Sequence, residues 1–216
     1  MLRAWIVLLG WVLSLSFAGA VSAGTYDASL IIELNRDGAI FTCSGVLVSP
    51  NVALTAGHCA EDTDSIRVST ALDYLPNSGH WIAVARSLVH REYSPDASLY
   101  GSDVALLKLR ESFPSTLHYP QLARSTDDSA LTSGTHLIRI GYGGRNDQNR
   151  RTIIETLFKT WSHVGYDPIA GQNEDPHAVN GDSGGPVYFQ PTSSAPLLLV
   201  GIHSTWTETS NTAYFS

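Results

Sequence analysis

Residues 180–187 read Asn180-Gly181-Asp182-Ser183-Gly184-Gly185-Pro186-Val187. A serine stands among small residues, with an acid directly before it. Three glycines within five positions let the backbone turn tightly and come close to a ligand. Such a turn can aim two backbone N–H groups at one point where an oxyanion could sit. Ser183 is the candidate nucleophile. Its hydroxyl is a poor nucleophile near neutral pH, so the chemistry needs a base and a group that orients the base. A glycine-rich hairpin turn with an incidental serine is the plainer reading until both are found.

The amino end bears on where such chemistry would act. Arg3 gives a positive start, and Trp5 to Phe17 is apolar apart from Gly10, Ser14 and Ser16. Small residues follow at Ala18-Gly19-Ala20 and Val21-Ser22-Ala23. This is the layout of a secretory signal peptide over residues 1–23, cleaved after Ala20 or Ala23. The apolar run is short for a membrane span, and no membrane association is expected after cleavage. An exported chain meets an oxidising compartment, so Cys43 and Cys59, the only two cysteines, are expected to form a disulfide. Its loop of about 15 residues is worth roughly 3 kcal/mol in the chain-entropy model.

The 216 residues carry a net charge of −7 and no basic stripe, which gives no support to a nucleic-acid partner. Short apolar runs separated by turn residues dominate the chain. They cover residues 29–34, 40–48, 52–55, 66–70, 81–89 and 104–109, then 135–142, 152–160, 186–190 and 197–204. This spacing predicts an all-β sandwich or barrel, and no long helical period follows the leader. Glu111-Ser112-Phe113-Pro114-Ser115 interrupts the pattern, which sets the expected domains at 24–115 and 116–216.

The candidate base is His58 in Thr55-Ala56-Gly57-His58-Cys59, tethered by the disulfide beside Cys43. A histidine next to a cysteine also suits zinc, but no second Cys/His pair at ligand spacing follows, and no metal or other cofactor is expected. Asp103 stands at the mouth of the apolar strand Val104 to Leu109. It reads either as a strand-end cap or as a buried carboxylate partnered by a histidine N–H. The acidic run Glu61-Asp62-Thr63-Asp64 is better explained by a solvated loop than by calcium.

Together, Cys43 to Leu47 with Leu54 to Cys59, Ser102 to Leu107, and Gly181 to Pro186 resemble the chymotrypsin/trypsin-like serine endopeptidases. The resemblance implies two six-stranded antiparallel β-barrels with the active site in the cleft between them. It implies a secreted or periplasmic monomer that cleaves polypeptides through an acyl-enzyme. His58, Asp103 and Ser183 would form the triad, with the Gly181 and Ser183 amides as the oxyanion hole. Ser204 matches the family's serine that supports the aspartate. The acyl-side pocket would fall to His177, Asn180, His203, Ser204 and Trp206. His177 stands where the trypsin-type aspartate would lie, which removes the main support for cleavage after Arg or Lys. His203, with Ala213-Tyr214-Phe215, resembles the bacterial glutamyl endopeptidase branch, although a core histidine is the plainer reading.

Two departures matter. No Ile-Val-Gly-Gly type start precedes Ser29 to supply an ammonium partner for Asp182. Val21 could supply one after cleavage at Ala20. Arg139 could instead pair with that acid from within the chain, as in some bacterial relatives, or be a solvated strand arginine. The family's C-terminal helix does not appear before Ser216. Two rival functions are a hydrolase with a nucleophile elbow and a non-catalytic binding module on the same double-barrel fold. The first orders its groups Ser, acid, His, against the order His58, Asp103, Ser183 here. The second usually lacks one of the three chemical residues, and all three are present.

Overall fold

The computed structural model describes residues 26–77, 79–95, 102–145, 148–149, 151–163, 169–174, 178–207 and 212–216. The expected leader and its cleavage sites, and His177, lie outside the described residues.

The first half forms β1 (Ser29–Arg36), β2 (Ala39–Ser49), β3 (Val52–Thr55), β4 (Ser65–Ser69), β5 (Ile82–Val89) and β6 (Ala105–Leu109), with one helical turn, α1 (Gly57–Ala60), after β3. These six strands close into a barrel in the order β1-β2-β3-β6-β5-β4. The β6 sequence Ala-Leu-Leu-Lys-Leu alternates buried and exposed, as a strand with one face on a core must. Asp37 and Gly38, both at positive φ, turn β1 into β2, and the Asn35 side chain accepts the Gly38 N–H at 3.0 Å.

The second half forms β7 (Gln121–Leu122), β8 (His136–Gly141), β9 (Gly144–Arg145), β10 (Gln148–Asn149), β11 (Thr152–His163), β12 (Ile169–Glu174), β13 (Pro186–Phe189), β14 (Leu198–Thr207) and β15 (Thr212–Phe215). A 3₁₀ segment spans Ser125–Ala130. The main sheet has seven strands in the order β13-β8-β11-β12-β15-β14-β7, and β13 also pairs with β14. It differs from the six antiparallel strands expected: Gln121 and Leu122 add a short strand parallel to Leu198 and Leu199. The hairpin of β9 and β10 stands apart from it.

One core joins the halves. Ile140, Tyr188, Leu199 and Ile202 pack into the same buried cluster as Leu30, Val46, Leu47 and Leu107. Tyr26 stacks on Tyr188 with ring centroids 5.8 Å apart. Burying large side chains across this seam fixes one half against the other. Among the described residues, no helix is long and apolar enough to cross a membrane.

Candidate functional site

His58 owes its place to the chain around it. It lies in α1, directly after β3, and the adjacent Cys59 is disulfide-bonded to Cys43 on β2 with a Cα–Cα distance of 6.3 Å. The Arg36 guanidinium donates to the carbonyls of His58 at 2.9 Å and Glu61 at 2.7 Å. A cation thus satisfies carbonyls that so short a helix leaves without intrahelical partners.

Asp103 is buried, and the strand-cap reading does not describe it. Its Oδ2 meets His58 Nδ1 at 2.8 Å and accepts the Ser204 hydroxyl at 2.5 Å, while Oδ1 accepts the His58 backbone N–H at 2.9 Å. The N–H of Asp103 donates to Ser216 Oγ at 3.2 Å. Burial pushes this carboxyl up. The hydrogen bond and charge of His58, with the Ser204 hydroxyl and the His58 amide, outweigh that and hold it below the usual carboxylate range. Ser102, directly before it, sits at φ 68°, a left-handed conformation uncommon for a non-glycine residue.

The serine turn comes from the other half and lies against the same place. Ser183 O accepts the Ser44 N–H at 2.7 Å, and Cys59 Sγ lies 3.8 Å from it. The Ser183 hydroxyl donates to Ser204 O at 3.3 Å. Among the described residues no hydrogen bond joins it to His58. Ser204 on β14 therefore touches both ends of the constellation, through its hydroxyl to Asp103 and its carbonyl to Ser183. Gly184, at φ 83°, has Thr55 Oγ1 and Ser44 O where a Cβ would stand. Only glycine fits, in both conformation and space.

The backbone donors of the turn divide into two sets. Asp182, Gly184 and Gly185 donate to Val179 O, His203 O and Asp182 O at 3.1, 2.7 and 3.0 Å. The N–H groups of Gly181 and Ser183 have no acceptor among the described residues. Two neighbouring amides left without acceptors in an otherwise bonded turn can receive a developing negative charge.

Asp182 is completely buried. Its Oδ1 accepts the Gly143 N–H at 2.9 Å, and its Oδ2 accepts the Val179 N–H at 3.0 Å and meets Arg139 Nη1 at 3.4 Å. Arg139, on β8, is also completely buried, so the solvated-arginine alternative does not hold. An internal cation faces the acid before the serine.

His203, Ser204 and Trp206, expected at an acyl-side pocket, stand on β14, and Asn180 stands at the serine turn. Asn180 is exposed at the turn. His203 is buried on β14, and its backbone clamps the turn by accepting from Gly184 and donating to Gly185 O at 2.8 Å. Trp206 pairs with Ala213 in the β14–β15 ladder. The sulfurs of Cys43 and Cys59 lie close to the His58 imidazole, a grouping that could suggest a metal, but the disulfide removes both thiolates.

Sequence reasoning missed Ser44. Its hydroxyl donates to Gly181 O at 2.7 Å and accepts the Tyr142 N–H at 2.8 Å, joining β2, the serine turn and the end of β8. A serine in the middle of a strand gives no local sign of a partner 137 positions away.

Comparison with known proteins agrees with this fold. A family profile described as Trypsin matches residues 19–215. Hypodermin-B of Hypoderma lineatum is 28% identical over 185 residues, covering 78% of this chain and 71% of that protein. Chymase of Rattus norvegicus is 26% identical over 230 residues, covering 91% of each. The solved structure described as HL collagenase superposes with a TM-score of 0.72 at 21% identity, covering 89% of each chain, a likeness of fold. These relatives are animal proteins and lend no support to the bacterial glutamyl endopeptidase branch. With its profile matched over most of its length, the chain belongs to the trypsin family.

Proposed function

We propose that the protein is a secreted serine endopeptidase, released after removal of residues 1–23, with residues 24–115 and 116–216 forming the two walls of its cleft. His58 takes the proton from the Ser183 hydroxyl as its oxygen attacks the peptide carbonyl. The negative charge that develops on the carbonyl oxygen is received by the Gly181 and Ser183 N–H groups. His58 then gives the proton to the leaving amine, and the C–N bond breaks. Water, deprotonated by His58, hydrolyses the ester on Ser183 and restores the enzyme. Asp103 holds the imidazole so that Nε2 faces the serine, and stabilises the imidazolium. The Ser183 hydroxyl must swing from Ser204 O to His58 for the first step; catalytic hydrogen bonds are often long before substrate binds.

The convergence of His58, Asp103 and Ser204 against a turn with two uncommitted amides carries this reading. The buried Arg139–Asp182 pair supports a turn held without an activating cut. His203 has the chemistry to recognise a carboxylate, and we extend the proposal to glutamate before the cut; efficient cleavage after arginine but not glutamate overturns that part. The central test is labelling of the secreted protein with a fluorophosphonate. Ser183 is modified and casein hydrolysis is lost in parallel, while Ser183→Ala is neither labelled nor able to hydrolyse casein. An unlabelled Ser183 in folded protein favours the binding-module alternative.

A further inference from the structure

Asn180-Gly181 is the one Asn-Gly pair in the chain. An asparagine side chain ends in an amide whose carbonyl carbon is open to attack, and a glycine that follows has no side chain to shield its nitrogen. The serine turn leaves both reacting groups uncommitted. Asn180 is exposed, and its side-chain amide makes no hydrogen bond among the described residues. The Gly181 N–H has no acceptor there either. The Asn180 carbonyl oxygen accepts the Gly144 N–H at 3.1 Å. A donor on that oxygen stabilises the charge the peptide unit acquires when its nitrogen gives up a proton. Asn180 and Gly181 both line an open cavity of about 560 Å³, which admits water to the pair. Asn35 shows the opposite arrangement: its side chain accepts the Gly38 N–H at 3.0 Å, and an arginine follows it.

We propose that Asn180 is a site of spontaneous deamidation, and that the reaction consumes one of the two proposed oxyanion donors. The Gly181 nitrogen attacks the carbonyl carbon of the Asn180 side chain and forms a new C–N bond. Its proton passes through solvent to the departing amino group, which leaves as ammonia. The product is a five-membered succinimide whose ring nitrogen is that of Gly181 and carries no hydrogen. Water then opens the ring. Addition at the side-chain carbonyl gives aspartate with the main chain restored. Addition at the main-chain carbonyl gives isoaspartate, with the chain rerouted through the side-chain carbons.

The free N–H that lets Gly181 receive an oxyanion is the same group that makes it a nucleophile. In the succinimide the donor is gone. In isoaspartate the main chain is one atom longer, and Gly181 has no slack to absorb it. At φ 97°, the position of its absent Cβ lies 3.1 Å from Gly143 Cα and 3.4 Å from Tyr142 O, so the lengthened chain displaces the N–H. Only the aspartate form keeps the donor in place, and it adds a negative charge at residue 180. The loss of activity rests on the peptidase reading above; the chemistry at Asn180 does not.

The test begins with folded Ser183→Ala protein, which excludes self-digestion, incubated at neutral pH and followed by mass and peptide mapping. Ammonia is released, and the peptide holding Asn180 gains the mass difference between a hydroxyl and an amino group. The isoaspartate fraction accepts a methyl group from isoaspartyl methyltransferase. Adding Asn180→Gln, whose longer side chain does not close the five-membered ring, abolishes all three signals. A folded protein that keeps Asn180 intact, while the same chain unfolded in guanidinium deamidates, overturns the proposal. Wild-type protein aged in the same way is then assayed on a p-nitroanilide. Its kcat falls in proportion to the succinimide and isoaspartate fractions, which are about 10²–10³-fold slower, and KM holds. Asn180→Gln keeps through the incubation whatever activity it starts with. Deamidation that leaves kcat undiminished overturns the loss of the donor. Fresh wild-type protein that cleaves no substrate, in which Asn180 still deamidates, overturns the peptidase reading and leaves the modification site standing.

Discussion

The two flanks of the candidate site hold their groups by different means. On the barrel side, His58 and Asp103 are tied by side-chain hydrogen bonds, a disulfide and the mouth of a short strand. On the other side, Ser183 is carried by a turn clamped by backbone bonds to Ser44 and His203, with a buried carboxylate and a buried guanidinium behind it. The first flank can lose one contact and keep its scaffold. The second depends on charge in a place where charge is tolerated only when paired. Damage should therefore differ in kind: chemistry fails first on the barrel flank, and folding and chemistry fail together on the turn flank.

The largest expected effect tests the barrel flank. Asp103→Asn keeps the volume and the strand but favours the wrong imidazole tautomer, and kcat should fall on the order of 10⁴-fold. The same substitution alters acid stability. Because the native carboxyl of Asp103 is held below its ordinary value, its contribution is present above the unfolded-state pKa. That contribution is lost as pH falls through the lower native value. Denaturant unfolding at a series of acidic pH values should show a shallower decline for Asp103→Asn than for the wild-type protein. An equal decline would mean that the Asp103 pairing does not differ between folded and unfolded chains.

Arg139→Met tests the turn flank. It leaves Asp182 buried beside two backbone donors and without its cation. Breaking a buried pair in this way costs about 3–5 kcal/mol. A turn that no longer aims its two amides should also lose activity, by about 10²–10³-fold in kcat if one oxyanion donor is misplaced. Adding Asp182→Asn should recover stability, since no unpaired charge then remains, and should not recover kcat. Retained activity in folded Arg139→Met would show that the turn is held by its backbone alone, and would erase the contrast between the flanks.

The barrel flank was also the more legible in the sequence. Its strands are short apolar runs bounded by turn residues, and the pattern places β3 at its observed limits and β1, β2, β4, β5 and β6 within a residue or two of theirs. Two cysteines leave one pairing to choose. The second half was harder to read because its strands do not advertise themselves. Residues 169–174, Ile-Ala-Gly-Gln-Asn-Glu, carry almost no apolar pattern, and β7 is two residues paired in parallel. The glycines of the serine turn signalled a close approach without saying to what. The partners proved to be Thr55 and Ser44, from the far half of the chain. The Glu33–Arg67 ion pair is illegible for the same reason: an acid and an arginine 34 positions apart become neighbours only through the register of β1 with β4.

Replacing both cysteines, Cys43→Ala with Cys59→Ala, gives a smaller effect. The bridge closes residues 16 apart, so its loss should lower stability by about 3 kcal/mol, chiefly by releasing the unfolded chain. Because Asp103 and Arg36 still hold His58, kcat in the folded fraction should fall far less than in Asp103→Asn. A collapse of kcat to the level of Asp103→Asn would make the disulfide, rather than the carboxylate, the element that orients the base.

The smallest expected effect sits where the flanks meet. Ser44→Ala removes one hydroxyl that donates to Gly181 O and accepts the Tyr142 N–H. Two buried polar groups then lose their partner, at about 1–3 kcal/mol for the site. The Gly181 carbonyl is joined to the amide of Asp182, so freeing it loosens the peptide between the two proposed oxyanion donors without touching either one. Stability should therefore drop modestly, and kcat should fall while KM holds, because the loosened donors act on charge that exists only in the transition state. Ser44→Thr, which keeps the hydroxyl, should restore kcat if its added methyl is accommodated. A loss of stability with kcat unchanged would assign Ser44 to the seam between the halves alone and leave the aim of the turn to the buried Arg139–Asp182 pair.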